Sequence, residues 1–123
     1  NARRQAAVDK LRRRAEAVAA KRGCALRWTT MQEAGSVACD PGLSALLREA
    51  VRRHEPAAPS LPSGAGHDAA ALAAICPTAM MFVRCKGGVS HHPAESINTA
   101  DVTKAIAALR DFVLALAASH PFR

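Results

Sequence analysis

The chain has 123 residues and sets 17 Lys and Arg against 10 Asp and Glu, a formal charge of +7; that length accommodates one modest domain or pieces of two. Half of the residues are apolar, but many are Ala and the aromatics are three Phe and one Trp, so any core is thin, although a compact chain of this size would bury roughly two-thirds of its unfolded surface. No uninterrupted apolar run reaches bilayer length, because Arg110 and Asp111 break the C-terminal candidate; the chain reads as soluble, with no membrane partner.

Periodicity predicts a first helix over residues 2–22, with Val8, Leu11, Ala15 and Val18 as its apolar stripe and Gly23 ending it. Arg3, Arg4, Lys10, Arg12, Arg13, Arg14, Lys21 and Arg22 fall mainly on the opposite side. A solvated helix face explains them, and without interleaved aromatics nucleic acid is not the expected partner. Residues 24–32 alternate as a strand, with Cys24, Leu26, Trp28 and Thr30 on one face. Asp40 should cap a second helix that has Pro41 at its first position and Leu43, Leu46, Leu47, Ala50 and Val51 on its buried face.

Glu55 to Pro62 is a proline-rich loop. A short third helix runs from about His67 to Ala74, and the apolar run from Thr78 to Arg84 reads as a strand covered on both faces. Asn98 and Asp101 form a capping-box-like pair before a long helix with the stripe Val102, Ile106, Leu109, Val113 and Leu116. Helices thus alternate with strands, which predicts an α/β fold. Cys24, Cys39, Cys76 and Cys85 lack the close-paired spacing of a zinc knuckle and read as reduced, mostly buried thiols.

The segment from Leu61 to Glu95 carries the chemistry. Ser63-Gly64-Ala65-Gly66-His67-Asp68-Ala69 is a small-residue turn leading into a helix, and Gly87-Gly88-Val89-Ser90-His91-His92-Pro93-Ala94-Glu95 is a loop at the end of the apolar run. From spacing alone, His91 and His92 read as polar loop residues, since one ligand position is not a metal site. Gly64 and Gly66 could serve a tight turn, or Gly66 could bare its backbone N–H to a ligand.

SGAGHDA, PTAMMFV and SHHPAE, in this order and spacing, resemble the C-terminal part of a zinc-dependent amidohydrolase family. That family comprises allantoate amidohydrolase, N-carbamoyl-L-amino-acid hydrolase and β-ureidopropionase, within the aminoacylase/carboxypeptidase superfamily. The resemblance covers essentially the whole chain and aligns it with the last third of such an enzyme. It implies that residues 1–33 end a lid or dimerisation domain and that residues 34–123 are the C-terminal part of the metal-binding α/β domain.

His91 would then be a metal ligand, and His92 would fall on a variable position. Gly66 and His67 would line the substrate pocket, and Asp68 would cap the short helix or support a ligand. Glu95 would orient the His91 loop, the general base being a glutamate of the missing N-terminal part. Ser90 would make a loop hydrogen bond, and no catalytic residue would lie in this chain. Arg84 and Lys86 depart from the family pattern and read as solvent-exposed.

The implied cofactor is zinc or another divalent metal, two per site in the complete enzyme. The implied partners are a small carbamoyl or ureido substrate and a second subunit in a homodimer, in the cytoplasm. The fragment alone is expected to be inactive. The alternative is a non-enzymatic basic α/β module that binds nucleic acid or a protein partner.

Overall fold

The structure, a computed structural model, describes residues 1–119. The chain divides into two compact units, Asn1–Val37 and the residues from Ala38 onward.

The first unit is built on α1, Ala2–Lys21. Its C-terminus is closed by the expected glycine: Gly23 has a φ of 65°, and the N–H groups of Gly23 and Cys24 donate to the carbonyls of Ala20 and Ala19 at 3.2 and 2.9 Å. These two bonds satisfy carbonyls that the helix end would otherwise leave open, and a left-handed residue is needed to make both. Val8 and Ala15 are half-buried, whereas Leu11 is 60% and Val18 46% exposed. Arg4 reaches Glu33 at 3.0 Å and Arg12 reaches Glu16 at 2.9 Å, while the Asn1 side chain accepts the Ser36 N–H at 2.8 Å.

The second unit contains α2 (Pro41–His54), α3 (Asp68–Leu72) and α4 (Thr99–Ser119), with one 3-10 turn at Lys86–Gly88. Asp40 caps α2 by accepting the Leu43 N–H at 2.8 Å. Asn98 accepts the Asp101 N–H at 2.9 Å and donates its amide to the Asp101 carboxylate at 2.6 Å, which fixes the start of α4. α2 and α4 pack together around Leu47, Ala50 and Ala108, the buried apolar residues among those described.

The α/β expectation is overturned: the described residues are helical, with no strand and no sheet. A strand exists through a ladder to a second backbone. Residues 24–32 have no such partner among the described residues, and the run from Thr78 has one long-range backbone bond, from the Asp40 N–H to the Thr78 carbonyl at 2.8 Å. Nor is that run covered on both faces. Met81, Val83 and Cys85 are half-buried, whereas Phe82 is 52% exposed and Arg84 is exposed. The side-chain alternation of a strand is present without its pairing.

Two further expectations are corrected. The covered face of α4 runs through Val102, Ala105, Ala108, Phe112 and Leu116, while Ile106, Leu109 and Val113 of the expected stripe are 65%, 49% and 53% exposed. The small Ala105 and Ala108 allow α2 to approach, and Ile106, Leu109 and Val113 turn outward. Cys24, Cys39 and Cys76 are exposed and Cys85 half-buried, because all four sit in connections rather than on helix faces.

Polar contacts join the C-terminal end of α2 to α4. His54 Nε2 lies 2.9 Å from Asp111 Oδ2, with Arg110 on the other oxygen at 3.1 Å. The His54 hydrogen bond, then that from Arg110, holds the Asp111 carboxyl below its ordinary value of 3.8. A depressed native pKa gives stability that is complete above the unfolded value and is lost as pH falls through the native one. Asp111→Asn is therefore expected to lower the melting temperature at neutral pH and to shrink its fall below about pH 4. Thermal unfolding followed by circular dichroism across that range checks this, and an unchanged acid limb would count against the contact.

Candidate functional site

The first histidine turn follows the proline-rich connection. His67 precedes α3 with extended backbone (φ −138°, ψ 153°), and its side chain makes no capping bond. Its Nε2 instead lies 2.6 Å from Ser63 Oγ, and its ring meets Phe82 edge-on at a centroid distance of 5.9 Å. Gly64 and Gly66 have no left-handed φ, and a Cβ at either would meet nothing within 4 Å. The local backbone therefore places no demand for glycine at these positions, which removes the tight-turn explanation for them. Asp68 lies in the first turn of α3, where a carboxylate is favourable.

The second turn is closed at its base by the Lys86 N–H donating to the Ser96 carbonyl at 2.7 Å. Here glycine is required, because Gly87 and Gly88 have φ of 66° and 71°. His91 also adopts a left-handed φ of 57°, an uncommon conformation for a side-chain-bearing residue. Glu95 holds it there: Oε2 accepts the His91 N–H at 2.7 Å, while Oε1 accepts from the Cys85 thiol at 3.5 Å. Burial, then the hydrogen bond to Glu95, raises the pKa of that thiol above its ordinary value.

The two histidines of this loop are used differently. His91 Nδ1 lies 2.8 Å from Ser90 Oγ, which fixes the ring and leaves Nε2 without a hydrogen bond among the described residues. His92 Nδ1 accepts the Ala94 N–H at 3.1 Å and so serves the turn itself. A ring anchored through one nitrogen suits a metal ligand, since anchoring sets both tautomer and direction. The fit is to one ligand position. No three His, Cys, Asp or Glu side chains come together to hold a metal among the described residues.

No hydrogen bond or ring contact joins His67 to His91 among the described residues. A cleft of about 530 Å³ lies between α2, residues 80–84 and α4, and Gly66, His67 and His91 are absent from its lining. Its floor is apolar, and at its edge Glu55 binds Lys104 at 2.8 Å and Arg84 at 3.5 Å. Lys104 first and then Arg84 hold the Glu55 carboxyl below its ordinary value. The cleft is thus part of the seam of the helix pair. Ser63 and Phe82, the neighbours of His67, were not singled out from the sequence; the signal for Ser63 was its spacing of four residues from the histidine.

The described residues thus hold two separately braced histidine turns and no cluster that could hold a metal. The chain belongs to peptidase family M20/M25/M40, whose family model matches residues 8–115. It is 36% identical over 118 residues to the allantoate deiminase of Arabidopsis thaliana, an alignment covering 89% of this chain and 22% of that protein. It is 43% identical over 91 residues to a probable allantoate deiminase of Oryza sativa subsp. japonica, covering 65% and 18%. It is 42% identical over 82 residues to the N-carbamoyl-L-amino acid amidohydrolase of Geobacillus stearothermophilus, covering 67% and 20%. The chain thus spans about a fifth of the length of these relatives. No solved structure matches.

Proposed function

We propose that the chain is the C-terminal part of a metal-dependent amidohydrolase that cleaves a linear C–N bond of a carbamoyl or ureido compound. The supporting observation is the run of relatives named allantoate deiminase and N-carbamoyl-L-amino acid amidohydrolase, at 36% and 42% identity in the two examples above. The basic-module alternative has less support, because the charge of α1 is explained by a solvated face with pairs at Arg4–Glu33 and Arg12–Glu16.

In this reading His91 offers Nε2 to the metal, its Nδ1–H donates to Ser90 Oγ, which holds the ring, and Glu95 holds the backbone. A divalent metal at this position would supply Lewis acidity toward the scissile carbonyl and toward water. His67 offers a ring nitrogen to a substrate oxygen, and Gly66 lets the substrate approach the backbone closely. Residues 1–33 belong to a lid through which two subunits pair, residues 34–123 belong to the metal-binding domain, and the enzyme works in the cytoplasm.

Zinc requires three or four ligands, and this reading assigns the chain one. The 123-residue chain should therefore lose zinc on dialysis and leave N-carbamoyl amino acids and allantoate unchanged. The full-length protein should hydrolyse one of them and lose that activity to a chelator. Stoichiometric zinc in the dialysed chain, or a chelator-resistant full-length hydrolase, would overturn the assignment.

A further inference from the structure

We propose that Ser63 is a positioning residue that fixes the tautomer of His67, so that this histidine meets its ligand as a hydrogen-bond donor. The inference rests on the reading above for what the ligand is, and on the turn itself for the tautomer.

The Ser63 hydroxyl has one proton and two lone pairs. One lone pair is taken by the Ala65 N–H, which donates to Oγ at 3.1 Å. The proton has two candidate acceptors, the Ala65 carbonyl at 3.4 Å and His67 Nε2 at 2.6 Å. Hydroxyl-donated bonds to oxygen span about 2.5–3.0 Å, whereas N–H-donated bonds to oxygen span about 2.7–3.2 Å, so 2.6 Å falls in the hydroxyl range alone. The short contact is thus a hydroxyl donating into the ring, and the carbonyl at 3.4 Å is a poor competitor.

Nε2 is then the bare nitrogen and Nδ1 carries the hydrogen. Nδ1 makes no hydrogen bond to the described residues, and the edge-on contact with Phe82 limits rotation of the ring. A neutral imidazole held in this way presents one N–H and no free acceptor. It suits a carbonyl or carboxylate oxygen, with Nε2 occupied by the Ser63 hydroxyl. Ser63, four residues before the histidine, thereby separates a binding role for His67 from a role as base.

Nitrogen-15 NMR of the labelled chain at neutral pH reads the tautomer without any catalytic activity. The expected result is a protonated-type shift at Nδ1 of His67 and a bare-type shift at Nε2. Ser63→Ala should move both shifts toward the values of an unconstrained ring, and Ser63→Thr, which keeps the hydroxyl, should restore them. An Nε2–H tautomer in the unmodified chain, or no change in Ser63→Ala, would overturn the inference.

In the full-length protein, Ser63→Ala should raise KM more than it lowers kcat, with Ser63→Thr near the unmodified values. If His67→Ala left hydrolysis untouched while the NMR result held, the assignment of His67 to the substrate pocket would fail and the tautomer inference would stand. The unmodified chain supplies the deciding measurement even if a variant folds poorly.

Discussion

His91→Ala in the full-length protein is expected to abolish metal-dependent hydrolysis, and His92→Ala to leave most of it. The two residues are neighbours with similar exposure, so a general effect on the loop would strike both. Their ring nitrogens are committed differently: His91 is anchored through Nδ1 to Ser90, whereas His92 spends Nδ1 on the Ala94 N–H. Losing an outer partner of a ligand typically costs about 10–100-fold in affinity or activity, and losing the ligand itself should cost more. Glu95→Ala should therefore fall between the two, since it frees the left-handed backbone of His91 without removing the ring. Activity and bound metal measured together on the three variants test this order. Equal losses at His91 and His92, or a larger loss at His92, would mean that the loop is misassigned.

The caps were the most legible part of the sequence. Asp40 with Pro41, Gly23, and Asn98 with Asp101 each act through bonds spanning a few residues, so local spacing suffices to place them. The strands were not legible because alternation reports which side chains are covered, and a strand also needs a partner backbone that no local pattern supplies. Residues 81–85 keep the alternation, yet among the described residues they have no long-range backbone bond, the one bond of the run being Asp40–Thr78.

The face of α4 was misread for a related reason. Apolar residues occur nearly all round this helix, so more than one stripe fits the period, and packing selects the one with Ala105 and Ala108 because small residues admit α2. In the candidate site, the motif pointed to His67 and His91. Their different use of ring nitrogens depends on Ser63, Ser90 and Glu95, whose hydroxyl and carboxylate directions are set by turn geometry rather than by residue type.

Self-association is the second large effect to expect. The apolar residues left outside are large: Met31 is 90% exposed, Ile75 81%, and Ile106 and Leu61 65% each. At about 25 cal/mol per Å² of apolar surface, covering even a few of these side chains would outweigh the formation of any single surface ion pair. The formal charge of +7 opposes close approach of two copies, but salt screens it within about 10 Å at 0.1 M. Light scattering over a concentration series should therefore show mass rising with concentration, and more steeply as salt is added. A persistent monomer with one cooperative unfolding transition would mean that the three buried residues and their half-buried neighbours close the core unaided.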